Sequence, residues 1–488
     1  MMKKNLFRTM FLAACMLIGA GSLKAQNGYD VPPIGEEYSA LAQQVIDLQF
    51  SDPDEANKVF TKLVRKIKNK KEELLGVGQL FLDNNNPGGA KLCAKQLYEI
   101  APDYIPGLMF NGAVCMFFKD YGAAGQKFDE VLALDSMNVP ALKRNAFVYK
   151  NINPHVAIEM LEKIKRIDPN DYASSKDLGD IYYNMNEFKD AVNHYKGYFA
   201  NVPKEERDVR AAENYLQSLY ATQKFMEAGQ LVNDFEQLDP NDMVFKRMKL
   251  FCAVENYELD VAKQAVTYIS EKQYADSLYL YLDYAYAGNL MKELGDLPAA
   301  IGYFEQALKT DSTKLSGYKE LATLYRQNKE TDKGLSTYKL YLEKLGDKVE
   351  LTDIFGLGQQ YLSASQQAGI SAEEKAKYVS EGDALFAQIL ERKPDAYQAL
   401  LMRAAINITD GTKPEDKVKA YYDEAYKIMK DKEGIDSAKL QALRYLAFYA
   451  VQKDLLDEAR VYCDGILAID AENAFAKQID SYLKSENK

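Results

Sequence analysis

A chain of 488 residues, 47% of them apolar, is long enough for several domains or one long array and too apolar to stay disordered. Two histidines, His155 and His194, weigh against a histidine-based metal centre or a multi-histidine catalytic site; no metal and no cofactor is expected. A formal charge of −11, from 61 Lys and Arg against 72 Asp and Glu, argues against general nucleic-acid or anionic-membrane binding.

The first element is a leader. Lys3, Lys4 and Arg8 precede an uncharged, mostly apolar run from Thr9 to Leu23, and Ser-Leu-Lys-Ala follows before Gln26. This is the layout of a secretory signal peptide over residues 1–25, cut after Ala25. A competing reading takes Leu12–Cys15, "LAAC", as similar to the lipobox of bacterial lipoproteins, with Cys15 as a lipid anchor. The short apolar run before Cys15, interrupted by Arg8, favours the first reading. Loss of the leader removes four positive charges and leaves 57 − 72 = −15. No later stretch is apolar and long enough to span a bilayer, so no transmembrane segment is expected in the mature chain. Residues 26–36 read as a linker. Cys93, Cys115, Cys252 and Cys463 are widely spaced without a CxxC pair, which removes zinc and redox motifs. Cys93 and Cys115 are the only two close enough in sequence to be weighed as a disulfide.

From residue 37 onward the chain repeats itself. The first apolar or small residue of every second helix falls at Ala56, Ala90, Ala124, Ala157, Ala191, Ala228, Ala262, Ala300, Gly334, Gly382, Val418 and Ala459. The intervals are 34, 34, 33, 34, 37, 34, 38, 34, 48, 36 and 41, too constant for unrelated helices. An aromatic often follows four residues later and an alanine three beyond that, as in Ala300, Phe304 and Ala307. The preceding helix carries its own spacing, as in Leu74, Val77, Gly78 and Phe81, or Ile354, Leu357, Gly358 and Tyr361.

These motifs resemble those of the tetratricopeptide repeat (TPR) family: Trp-x2-Leu-Gly-x2-Tyr on helix A, then Ala-x3-Phe-x2-Ala on helix B. The resemblance covers residues 37–473. It departs in having no Trp, and in placing Gly334, Gly382 and Val418 where helix B has alanine. It implies an all-α fold, a right-handed superhelical solenoid of stacked antiparallel helix pairs. About nine repeats fill 37–347 and about three irregular ones fill 348–473. A capping helix and tail occupy 474–488. Irregularity enters after Tyr361, where about fourteen residues are added and Ser371 with Glu374 has the spacing of a capping box. Thr409–Lys417 and Lys430–Ser437 are further loops, and a joint is expected near Gly346. Ile167–Asp171 (IDPND) and Leu238–Asp242 (LDPND) fall in equivalent slots two repeats apart. Their prolines end helix B, and the Asn or Asp beyond can cap the next helix.

No glycine-rich phosphate loop, HExxH or GxSxG occurs, and the repeats leave no room for a separate catalytic domain. Non-catalytic work on a surface is therefore expected. The resemblance implies that helix A lines a groove for extended peptides or partner helices. Its fifth position, the groove position, carries Leu75, Met109, Lys143, Lys176, Glu213, Arg247, Ala285, Lys319, Phe355, Leu401 and Arg444. Five of these eleven are basic, in an acidic chain. With Asn289, Thr323 and Arg326 nearby, Lys143, Lys176, Arg247 and Lys319 form a candidate stripe for acidic peptides. Leu75, Met109 and Met116 make the N-terminal end of the groove apolar, suited to a partner helix. The Lys/Asn carboxylate clamp of some family members is not expected, because Lys143 pairs in register with Phe147 and Lys176 with Asp180.

The expected role is a protein–protein interaction scaffold or adaptor of the bacterial cell envelope. Its expected place is the periplasm, with an outer-membrane lipoprotein or an extracellular protein as alternatives. A component or chaperone of an envelope secretion or outer-membrane assembly machine is the second reading, and an enzyme with a site hidden in the groove the third. Asp-Ser pairs at Asp135, Asp276, Asp311 and Asp436 resemble a motif at which some Gram-negative exported proteins are O-glycosylated; turn and cap chemistry accounts for them equally.

Overall fold

The computed structural model describes residues 28–408 and 413–486. The expected leader with Cys15, its cleavage point, and the first four residues of the loop at Thr409 lie outside the described residues. Among the described residues the regular structure is α-helix with short 3-10 turns, as the all-α reading expects.

The chain forms two compact units, one ending at Asn256 and one beginning at Tyr257. In the first, α1 (Glu36–Leu48) pairs with α2 (Pro53–Ile67), and α3 (Lys71–Asp83) with α4 (Pro87–Ile100). The pairs α5 (Ile105–Phe117) with α6 (Tyr121–Leu134) and α7 (Val139–Tyr149) with α8 (Pro154–Ile167) follow. Then come α9 (Tyr172–Asn184) with α10 (Phe188–Asn201), α11 (Val209–Ala221) with α12 (Phe225–Phe235), and α13 (Met243–Glu255). The second unit opens with two short helices, α14 (Leu259–Ala265) and α15 (Thr267–Ser270). Its pairs are α16 (Tyr281–Glu293) with α17 (Leu297–Thr310), and α18 (Leu315–Gln327) with α19 (Thr331–Leu345). Next are α20 (Leu351–Ser365) with α21 (Ala372–Arg392), and α22 (Tyr397–Asn407) with α23 (Asp416–Met429). Helices α24 (Asp436–Gln452), α25 (Leu456–Ile469) and α26 (Ala474–Glu486) complete it. Short turns join helices that pack on each other, so each pair is antiparallel: the helix A and helix B of the repeat. The expected joint near Gly346 lies within the second unit, where a 3-10 turn links α19 to α20.

Local chemistry explains the punctuation. Between helix A and helix B one residue turns left-handed: Asn85, Lys119, Asn186, Gln223, Lys329 and Asp454 all have φ near +60°. Gly295 occupies the same slot and is the residue that takes it without strain. Between helix B and the next helix A an aspartate recurs. Asp135, Asp168, Asp239, Asp311 and Asp470 each accept a hydrogen bond from the backbone N–H two residues on. The following Asp171 and Asp242 cap α9 and α13, accepting from Ser174 N and Phe245 N. The paired DPND stretches are turn and cap together.

The helix-A glycine is explained by close approach. A β-carbon on Gly112 would lie 2.4 Å from Phe128, on Gly179 2.7 Å from Tyr195, on Gly288 2.7 Å from Phe304, and on Gly358 2.6 Å from Phe386. Each aromatic lies four residues after the first small residue of its own helix B, and all four rings are buried. At Gly78 the same space is filled by Phe110 from the next repeat, because Ala94 stands in the helix-B aromatic slot. At Gly382, an exception to the helix-B alanine, a β-carbon would lie 2.9 Å from Tyr361 Cβ and against the end of the Ile406 side chain, so the position is close-packed.

The unequal intervals also have causes. The interval of 37 contains a 3-10 turn at Lys204–Glu206, and the interval of 38 contains the interrupted α14/α15 and the 3-10 turn Asp276–Leu278. The interval of 48 holds the lengthened α20 and the 21-residue α21. Ser371 and Glu374 do form the capping box that starts α21, with Glu374 N donating to Ser371 Oγ at 3.1 Å and Ser371 N to Glu374 at 2.9 Å.

Candidate functional site

The helix-A face of the first unit has two zones. At its N-terminal end Leu75 on α3 and Met109 on α5 are fully buried, although they occupy the groove position. The expected linker, residues 28–35 (Gly-Tyr-Asp-Val-Pro-Pro-Ile-Gly), packs at this end: Tyr29 is buried in the same cluster as Leu75 and Met109, and a β-carbon on Gly28 would lie 3.7 Å from the Met109 side chain. Pro32 and Pro33 keep this segment out of a helix, and each restricts the residue before it to extended conformations. Tyr29 is buried at 5% exposure and donates a hydrogen bond from its phenol to Gln79 Oε1 at 2.6 Å. Gln79 is in turn oriented by donating to Asp83 at 2.7 Å. Burial pushes the Tyr29 phenol well above its usual range, and the half-buried Arg144 acts on it in the opposite direction. Gly28, with φ +70°, packs where a β-carbon would touch Pro140 at 2.6 Å. Val31 and Ile34 pack on the core, and Gly35 N donates to Glu73 at 3.2 Å.

Beyond Pro140 the face opens into a polar cavity of about 430 Å³ along α7, α9 and α11. Phe147 and Lys150, Lys176 and Asp180, and Arg210 and Asn214 supply its walls in successive repeats. Lys176 lies 2.8 Å from Asp180, which also accepts from the Tyr195 phenol at 2.6 Å. Asp177 lines the same cavity, and burial raises its carboxyl despite the opposing charges of Lys176, Lys150 and Lys143. Phe147 is 47% exposed, with the Lys150 ammonium 4.2 Å from its ring centre. An open aromatic face beside mixed charge suits a chain that brings both apolar and ionic side chains.

The candidate stripe falls into two sets. Lys143, Lys176 and Arg247 belong to the first unit; Asn289, Lys319, Thr323 and Arg326 belong to the second. Lys143 and Lys176 lie on successive A helices beside the cavity. Lys143 reaches Asp171, the α9 cap, at 2.5 Å, and Arg247 is half-buried on α13. Between them in register stands Glu213, which burial and a hydrogen bond with Asp242 carry up to about 7. Asp242 also accepts the backbone N–H groups of Val244 and Phe245 at the start of α13. In the second unit Lys319 lies 3.5 Å from Asp353 and 5.5 Å from the Tyr341 ring centre. Thr323 donates to the Lys319 carbonyl at 3.0 Å, and Asn289 and Arg326 are half-buried. Three of the stripe's lysines thus already have carboxylate partners.

Sequence reasoning missed Phe147, Asp177, Asp180, Arg210 and Asn214 as cavity walls, and it missed Tyr29 altogether. Phe147 and Asp180 stand at the ninth position of helix A, one turn beyond the groove position, so the repeat register could have found them. His194 stacks on Tyr182 with ring centres 5.3 Å apart, and burial lowers its basicity, which is the behaviour of a packed histidine. Cys93 and Cys115 are both free; burial pushes the Cys93 thiol up to about 12. The serines of the four Asp-Ser pairs, Ser136, Ser277, Ser312 and Ser437, are exposed. Among the described residues no helix is long and apolar enough to cross a membrane.

No protein-family model and no curated protein matches the sequence. Solved structures of TPR proteins are similar in fold. The C-terminal part of a TPR repeat-containing protein from Cytophaga hutchinsonii aligns with 55% of this chain and 98% of its own, at 22% identity and a TM-score of 0.45. A tetratricopeptide repeat protein from Parabacteroides merdae aligns over 52% and 98%, at 17% identity and 0.34. YrrB, described as a TPR protein with an unusual peptide-binding site, aligns over 38% and 95%, at 16% identity and 0.34.

Proposed function

We propose that this chain is a non-catalytic scaffold or adaptor that holds other proteins or peptides along its helix-A face. The observation that carries the reading is the open cavity along α7, α9 and α11, whose walls come mainly from the A helices of three successive repeats. A surface built by repetition presents the same kinds of group at regular spacing, which matches an extended polymer better than a small substrate. Acidic partner segments are the proposed class, read by Lys143, Lys176, Arg247 and Lys319, with Asn289, Thr323 and Arg326 beside Lys319. Because Lys143, Lys176 and Lys319 are paired with Asp171, Asp180 and Asp353, an incoming carboxylate binds by exchange with these partners. Such exchange selects by geometry more than by field.

The proposed place of work is the bacterial envelope, in the periplasm, on the strength of the leader sequence. A component or chaperone of a secretion or outer-membrane assembly machine, anchored through Cys15, is the second reading, favoured by the Leu12–Cys15 sequence. The mass of the mature N-terminus separates them: a free chain begins at Gln26 and an anchored one at acylated Cys15. Affinity capture from envelope fractions tests the stripe. A chain with Lys143, Lys176, Arg247 and Lys319 changed to Glu should lose partners that the wild type retains in a salt-sensitive way. An identical set of partners from both chains contradicts the stripe.

A further inference from the structure

The segment packed beside Leu75 and Met109 has the chemistry of a bound peptide. Its backbone is irregular, the residues before Pro32 and Pro33 are held to extended conformations, and it sinks one aromatic side chain into the face while Asp30 and Pro33 are exposed. Its seat spans three repeats, with Gly76 and Gln79 on α3, Met109 on α5, and Pro140 on α7. The seat is shaped to it: the nearest atoms to a β-carbon on Gly76 are Ile34 Cγ1 at 2.8 Å and the Pro32 carbonyl oxygen at 3.0 Å, both from the segment. The polar cavity begins on α7, the helix whose Pro140 touches Gly28, so a longer chain in the same seat continues past Phe147 toward Lys176.

We infer that Gly28–Gly35 is a built-in occupant of the groove, and that a partner segment of like chemistry, extended and anchored by a tyrosine, enters by displacing it. This rests on the reading of the helix-A face as a protein-binding groove. Tethering makes the strap a strong competitor, because a short tether holds it at about millimolar effective concentration. The same competition would keep the apolar seat covered until a partner arrives. A free segment then binds only the fraction of molecules whose strap is open, and its apparent affinity falls by that fraction.

The test is fluorescence anisotropy with a labelled peptide of residues 27–35 and the intact mature protein. Tyr29→Ala, which removes the strap's anchor, should bind the peptide about ten-fold more tightly than the wild type, as expected for a strap closed about nine-tenths of the time. Adding Gly76→Val should abolish that binding, because the new side chain occupies the seat. The peptide with alanine in place of its tyrosine should not bind either. Equal binding by wild type and Tyr29→Ala, or no binding by a Tyr29→Ala chain with native helix content, overturns the inference. If Tyr29→Ala loses helix content, Tyr29→Phe keeps the ring and carries the test, with a several-fold gain expected and none overturning it. A failed strap leaves partner capture by the wild type intact, whereas a groove that captures nothing fails with or without its strap.

Discussion

Glu213 and Gly112 stand at opposite ends of what a residue reveals in sequence. Gly112 is legible because its cause is local: the ring it makes room for, Phe128, sits in the next helix at the family's spacing. Glu213 looks like one more surface acid. Its partner Asp242 lies a whole repeat away, and only the fold brings the two carboxyls together. That meeting has a measurable consequence. Burial and the Asp242 hydrogen bond raise Glu213 in the folded chain from its ordinary 4.5 to about 7, so between those values the folded state binds the extra proton. Stability contributed by the protonated pair is therefore full below about 4.5 and is lost as pH rises through about 7. Glu213→Gln retains a donor for Asp242 and carries no charge. In urea unfolding at pH 5 and pH 8, the wild type should lose about 1 kcal/mol more than the variant, a figure reduced for partial solvent exposure. A pH dependence identical in the two chains would contradict the shared proton.

At the scale of elements, the periodic parts were legible and the aperiodic ones were not. Helix A and helix B announce themselves through spacing, and the α21 capping box was readable from Ser371 and Glu374 alone. Residues 28–35 have no period, and their seat is assembled from helices up to about a hundred residues downstream, so their only local signal is a tyrosine before two prolines. The basic stripe was half legible. Lysines at the groove position could be counted, and Asp180 stands one turn from Lys176 on the same helix, but the partners of Lys143 and Lys319 come from a cap and from the next helix A. Asp171 illustrates the point, since it both caps α9 and pairs with Lys143, with its own side chain almost buried. Asp171→Ala should therefore cost about 1–2 kcal/mol in urea unfolding, chiefly as a lost cap. Lys143→Met should stay within about 0.5 kcal/mol, because the lysine end of the pair is solvated. Equal losses would mean that the ion pair, not the cap, holds the turn.

Across the whole molecule, repetition is the property from which function follows. Each unit buries its core between neighbouring helices, so no single repeat carries the fold, and side chains on the helix-A face are free to vary with a partner. The scarcity of histidine weighs against a multi-histidine centre, but composition does not say where on the array a partner would lie. The place proposed is the cavity beside Phe147, built where the A helices of three repeats meet. The reading as a protein-binding scaffold is tested most directly by a photo-crosslinking residue placed at Phe147 of the intact chain in its native host, with a second chain carrying it at the exposed Met226 on α12, a helix B. A discrete protein adduct is expected from position 147, lost on competition with unlabelled wild-type chain and absent from position 226. No adduct at 147, or the same adducts from both positions, would contradict that reading.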